Sequence, residues 1–354
     1  MKPAITMTRP DDWHLHVRDG GIMQAVVGHT AAQFGRALIM PNLVPPVTDT
    51  GKALAYRKRI LEALPTGTEF SPMMSLYLTD NTTTEVVEAA AESEHVLGFK
   101  LYPSGATTNS SAGVTAISKV MGALESMAEL DLVLQVHGEV TDDHVDIFDR
   151  ESVFIDQVLG PLRKEIPQLR IVLEHVTTCD GVAFVRESGD NVAATITAHH
   201  LIISRNDLFR GGIRPHYFCL PVLKRRRHQE ALIDAAISGN PSFFLGTDSA
   251  PHLRGQKESA CGCAGIYTAH AALELYADVF ERMNALDRLE GFAAHHGADF
   301  YGLPRNTGEV TLEQSEWEVV TGYPVVEETS TPAIGEITPL LAGETLRWKL
   351  REGE

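Results

Sequence analysis

The stretch DDWHLHVR, residues 11–18, sets His14, His16 and Arg18 on alternate positions behind two acids and a tryptophan. In an extended strand alternate side chains share a face, so two imidazoles and a guanidinium would line one wall, with Leu15 and Val17 behind it. Such a wall suits a polar site better than a core. Related groups end other apolar, β-rich runs: Asn42 in RALIMPN, Lys100 in HVLGFKLYP, His137 in LVLQVHGE, His175 in RIVLEH, and Asp248 in SFFLGTDSAPH, with His252 just beyond. Singly, each has an ordinary structural reading: a hydrogen-bonded histidine, an ion-paired lysine, a capping aspartate. Together, four imidazoles and a carboxylate are the ligand types of a zinc-like divalent cation. Lys100 is the odd member, because an ammonium cannot ligate a cation. Desolvation between two dications would favour its neutral amine. That amine can add carbon dioxide, and the resulting carbamate could bridge two metals.

These groups need a scaffold that gathers strand ends. Candidate strands run over 11–18, 36–42, 70–78, 95–102, 132–137, 170–175, 192–197 and 242–248. Amphipathic segments lie at 50–64, 82–93, 114–130, 151–166, 178–188 and 222–238, with later helices near 266–281 and 284–298. Strand–helix alternation implies right-handed crossovers and a parallel sheet. Eight strands point to an α/β fold of the closed (β/α)8 TIM-barrel type, whose functional side chains sit at the C-terminal strand ends. No Gly-x-Gly-x-x-Gly follows the first strand, which weakens a dinucleotide-binding alternative. The expected organisation is a barrel over residues 1–304 and a C-terminal extension over 305–354. That extension is acidic, rich in Thr and Pro, and reads as loops with short strands such as TLRWKL, packed on the barrel.

The chain has 354 residues, 44% hydrophobic and 22% charged, as a globular protein with a sizeable core should. Lys plus Arg is 30 against 47 Asp plus Glu, a formal charge of −17, which argues against nucleic acid or an anionic membrane as a partner. The basic run Lys224–Arg227 reads as a solvated face. Cys179, Cys219, Cys261 and Cys263 match neither a zinc knuckle nor a redox pair, so free thiols in a reducing compartment are expected. No apolar run approaches a membrane span and the N-terminus has no apolar leader core, so the expected location is the cytoplasm.

The ligand pattern resembles the metal-dependent amidohydrolase superfamily. The segments DDWHLHVRDG, MPNLVPPVT, GFKLYPSGATTNSSAGV, IVLEHVTT, GIRPHYFCLPVLK, FLGTDSAPH and KESACGCAGIY resemble, in order, those of the shorter, bacterial-type dihydroorotases. The resemblance spans roughly residues 3 to 305 and implies two Zn2+ ions per subunit. His14 and His16 would bind the more buried ion, His137 and His175 the more exposed one, and carboxylated Lys100 would bridge them. Asp248 would bind the buried ion and carry the proton. Arg18, Asn42 and His252 would hold the substrate carboxylate, with His137 also near the substrate. Leu220 and Ala264 would meet the pyrimidine ring through backbone groups. Thr107 and Thr108 would lie on a lid. The implied reaction interconverts N-carbamoyl-L-aspartate and L-dihydroorotate in pyrimidine biosynthesis, a metal-bridging hydroxide opening the cyclic amide. A homodimer is the implied assembly.

Residues 103–114 are small or polar up to the closing Val114, so little apolar area would anchor a lid there. His199 and His200, read as ending a strand, would face opposite ways and not share a metal. His295 and His296 fall on a late helix and read as structural, and the Cys261 and Cys263 thiols as packing. Two rivals remain. A hydantoinase or allantoinase would keep the metals without the Arg18, Asn42, His252 set. A non-catalytic scaffold would be expected to lose ligands, and all six are present.

Overall fold

The computed structural model describes residues 3–327 and 333–351. Strand β1 (Ala4–Thr8) precedes eight parallel strands: β2 (Asp11–Leu15), β3 (Arg36–Ile39), β4 (Ser71–Leu78), β5 (Val96–Leu101), β6 (Val133–Val136), β7 (Ile171–Leu173), β8 (Val192–Ile196) and β9 (Phe243–Leu245). They pair in chain order. The ring closes where Asp248 N donates to the His14 carbonyl (2.9 Å) and His16 N to the Ser249 carbonyl (3.1 Å). Eight strands with helices around them make the α/β barrel that the alternation implies.

Period-two patterning decides which side chains go inward. Along β3 and the residue after it, Ala37 and Ile39 join the large core shared with the surrounding helices, whereas Leu38 and Met40 join a second cluster inside the barrel with Trp13, Met73, Val133, Val172, Ala193 and Phe244. Several predicted helices form, among them Thr50–Glu62, capped where the Asp49 carboxylate accepts from Lys52 N, and Cys179–Glu187, capped by the Thr178 hydroxyl. The helix Gly20–Gln33 has no counterpart in the sequence reading. Its buried residues, from Gly21 and Met23 to Ala31 and Gln33, are spread around the cylinder, so no apolar stripe marks it. The 266–281 expectation shortens to Ala272–Arg282, and 151–166 is interrupted by a π turn at Ile155–Leu159.

The N-terminal mouth of the barrel is covered by the short helix His296–Phe300. Tyr301 stacks on Trp13 at 4.5 Å, Phe244 meets Trp13 edge-on at 6.4 Å, and Arg170, just ahead of β7, lies over the Phe300 ring. Gly297 presses on the indole so closely that a Cβ there would lie 2.0 Å from Trp13 Nε1. His296 Nδ1 reaches the Phe243 carbonyl at 3.1 Å and His295 lies beside Thr8, consistent with structural roles.

Beyond residue 304, β10 (Glu309–Glu318) pairs antiparallel with β1 on one side and β13 (Thr345–Leu350) on the other. A short hairpin, β11 (Tyr323–Val325) with β12 (Gly335–Ile337), lies between. Residues from both sides of position 304 therefore share one sheet. It docks on the Ala272–Arg282 helix, where Leu350 N donates to Glu274 and Trp348 Nε1 to Glu281.

Candidate active site

At the C-terminal mouth the strands stop short of the sequence expectation. β2 ends at Leu15, β3 at Ile39, β7 at Leu173 and β9 at Leu245. The groups that could do chemistry lie on the turns just after. Arg18, His175 and Asp248 have φ of +60°, +42° and +45°, the left-handed region that non-glycine residues avoid. These turns re-aim side chains that strict alternation would send elsewhere. His14 and His16 do converge, but Arg18 reaches the site through its left-handed backbone and not through strand alternation.

His14 Nε2, His16 Nε2 and Asp248 Oδ1 lie 3.2 Å from one another. The His175 ring lies 5.1 Å from His14 and 4.8 Å from His137, centre to centre. All these residues are buried, as is Lys100. Arg18, Asn42, Thr107, Thr108, Leu220 and Ala264 line the same cavity. His252 stands behind Arg18: Arg18 Nη2 and the Ala264 carbonyl each lie 3.0 Å from its Nε2. Every side chain offered as a ligand or substrate contact thus gathers at one mouth. A larger groove between Pro103 and Asp142 lies to one side and holds none of the convergent imidazoles.

The lid segment is tied down more than its composition implies. Val114 N donates to the Tyr102 carbonyl and Ser104 N to the Val114 carbonyl, closing its base. Its tip covers the cavity: Asn42 Nδ2 donates to the Thr108 carbonyl (3.1 Å), and the Thr108 hydroxyl to the Ala264 carbonyl (3.3 Å).

The electrostatics are those of a site whose groups oppose one another. Burial alone would push His14 down, but the Glu174 and Asp248 carboxylates outweigh it and raise it to about 9. Burial and Arg18 push His16 down to about 4. Burial lowers His137 and Lys100 and takes His175 well below the usual imidazole range. Asp248 is held well below the usual carboxylate range because the neighbouring imidazoles overcome burial.

Three acids escaped the sequence reading. Glu174 is fully buried, 3.1 Å from His14 Nδ1, and pairs with the Lys100 ammonium. Glu139 lies 2.8 Å from His137 Nε2. Asp12 accepts from His14 N, Thr247 N and the Thr247 hydroxyl. Each orients a histidine or its strand, as carboxylates behind metal-bound imidazoles do. The signal was an acid within two residues of a singled-out histidine, in LEH, HGE and DDWH.

The donor set fits divalent cations. His14, His16 and Asp248 form one compact group of ligand atoms, and His14, Glu174 and His175 an adjoining one. His175 Nδ1 and Glu174 Oε1 are buried without a hydrogen-bond partner, as donors awaiting a cation would be. A third group, His199, His200 and Cys219, lies apart. Strand alternation does not separate its histidines, because β8 ends at Ile196 and His199 and His200 lie on the helix Ala198–Ile202. His200 is already engaged by the Thr197 hydroxyl and the Pro221 carbonyl. All four cysteines are free, and Cys261 is exposed; Lys224 is buried, so only Arg225–Arg227 form the solvated face.

The amidohydrolase family model matches residues 3–315. A dihydroorotase of Cupriavidus necator is 60% identical over 351 residues, covering 99% of this chain and 100% of the relative. The chain belongs to the dihydroorotase family. The family is one of metal-dependent cyclic amide hydrolases, and the convergent donors are the residues that answer to it here. The crystal structure of Saccharomyces cerevisiae dihydroorotase in complex with 5-fluoroorotic acid superposes with a TM-score of 0.89 at 33% identity, covering 99% of each chain. An L-hydantoinase from Arthrobacter aurescens is 17% identical, with a TM-score of 0.77 over 99% of this chain and 86% of its own, and so shares the fold alone. Among the described residues no helix is long and apolar enough to cross a membrane.

Proposed function

We propose that this enzyme interconverts L-dihydroorotate and N-carbamoyl-L-aspartate, the ring-closing step of pyrimidine biosynthesis, in the cytoplasm and as a homodimer. The observation that carries this reading over another cyclic amide is the recognition wall. Arg18, backed by His252, and Asn42 open on the same cavity as the imidazoles. A planar guanidinium binds both oxygens of a carboxylate, and dihydroorotate carries a carboxylate that hydantoin and allantoin lack.

His14, His16 and Asp248 would hold one Zn2+, His137 and His175 a second, and carboxylated Lys100 both. Two such ions, when bound, supply Lewis acidity that lowers the pKa of water and polarises an amide carbonyl. The chain's own groups do the rest. Glu174 and Glu139 fix the orientation of the His14 and His137 rings. A carboxylated Lys100 requires Glu174 to give up its contact with the amine, leaving it His14. Asp248 accepts the proton of the attacking water and passes it to the ring nitrogen as the C–N bond breaks. Thr107 and Thr108 close the mouth and exclude bulk water. The positive groups lie inside a chain of net charge −17, so a local field draws in the anionic substrate.

The test is metal analysis joined to assays in both directions, with hydantoin and allantoin as alternatives. The expected result is two zinc ions per subunit and turnover of dihydroorotate. Preference for either alternative substrate, or turnover without metal, overturns the reading.

A further inference from the structure

Lys257 closes the short helix Arg254–Lys257 with its side chain buried, only 4% exposed. Its Nζ lies 2.7 Å from the Phe218 carbonyl, 2.7 Å from that of Cys263 and 2.6 Å from that of Gly265. Three carbonyls use all three N–H groups of an ammonium. Among the described residues no carboxylate forms an ion pair with it. Burying a cation without a counter-ion is costly unless its hydrogen bonds are all made. These bonds converge on two segments far apart in the chain, which are also joined directly where Gly265 N donates to the Phe218 carbonyl.

The two segments carry Leu220 and Ala264, which line the cavity with Arg18. Their backbone is held from behind at further points. Lys224 Nζ donates to the Val222 carbonyl at 3.0 Å, and His200 Nε2 lies 3.1 Å from that of Pro221. At Gly265 a side chain is excluded: φ is +149°, and a Cβ would lie 2.8 Å from the Ala250 carbonyl oxygen. In a trans peptide the C=O and N–H point opposite ways. Turning the Cys263 carbonyl toward Nζ therefore turns the Ala264 N–H away from it.

We propose that Lys257 is a positioning residue for the substrate ring: its ammonium clamps the Phe218, Cys263 and Gly265 carbonyls so that the backbone groups of Leu220 and Ala264 face a bound cyclic amide. The proposal rests on the dihydroorotase reading above. Lys257 touches neither the metal ligands nor the reacting atoms, so its loss acts on substrate affinity before chemistry.

The test uses the full-length, metal-loaded enzyme. Lys257→Met keeps length and removes every donor, and Lys257→Arg keeps the charge with a different donor geometry. Zinc content, steady-state kinetics on dihydroorotate and hydrogen exchange are measured for each. The expected result for Lys257→Met is KM raised about tenfold or more, kcat changed less than about threefold, and zinc content kept. Exchange in residues 218–220 and 263–265 should accelerate while the barrel strands stay protected, and Lys257→Arg should recover part of both effects. Wild-type KM with wild-type exchange overturns the proposal. So does a lower melting temperature with KM unmoved, which would make the clamp merely structural. If Lys257→Met does not fold, Lys257→Arg decides alone: a raised KM supports the clamp and an unchanged one sinks it. If the unaltered enzyme ignores dihydroorotate, the functional reading fails, and the exchange measurement still judges the clamp.

Discussion

Trp13 and His14 are neighbours on β2 and serve opposite mouths of the same barrel. Below, the Trp13 ring lies flat against Tyr301, edge-on to Phe244 and hard against Gly297. Above, His14 is crowded by His16, Asp248 and Glu174, and the site keeps unpartnered donors at His175 Nδ1 and Glu174 Oε1. The lower mouth is complete as protein. The upper one is complete only with a cation among its donors. Stability and chemistry are thus divided along the strand axis, which lets the upper mouth carry left-handed residues and opposed charges while the lower one holds the ring shut.

Substitutions at the two mouths should therefore fail differently. Lys100→Ala should strip most of the bound metal and lower activity by about a thousandfold or more, because the proposed carbamate bridge would go; metal analysis beside the assay checks this, and full metal content would contradict the carbamate. Asp248→Ala should keep part of the metal and lose about 10²–10⁴ in turnover. Near-normal rates would remove its proton-carrying role. At the lower mouth, Gly297→Ala should cost about 2–3 kcal/mol by driving a methyl group into the indole. Denaturant titration would show that loss with zinc stoichiometry intact; a drop in zinc at full stability would erase the division between the mouths.

The smallest effect belongs to the seam between barrel and tail. Glu274 is buried, its carboxyl accepting from Leu350 N, and burial raises it from an ordinary 4.5 to about 7. The folded protein therefore binds the proton more tightly than the unfolded chain. Its contribution is whole below pH 4.5 and is lost as pH rises toward 7. Glu274→Gln should gain about 1–2 kcal/mol over the unaltered protein at pH 8 and close to nothing at pH 4.5. Melting curves at the two pH values test the sign, and an equal difference at both would refute it.

The strands were legible because short apolar runs alternate with amphipathic segments along the chain, and the ligand positions because six of those runs end in groups whose types are rare there. What stayed hidden has physical causes. The Gly20–Gln33 helix is buried around much of its circumference and shows no stripe. Strand ends were overrun because no propensity announces that Arg18, His175 and Asp248 turn left-handed. Glu174 and Glu139 looked like ordinary acids until the fold set them behind imidazoles. Lys257 sits in a polar segment, and only tertiary contact reveals that three carbonyls hold it.

The pairing of β1 with β10 has a consequence during synthesis. Thr6 meets Thr311, 305 positions later. On the ribosome β1 waits, with its edge open, until β10 has emerged. Pairing β1 therefore waits on distant sequence, and a chain stalled inside β10 would leave the β1 edge exposed to aggregation or a protease.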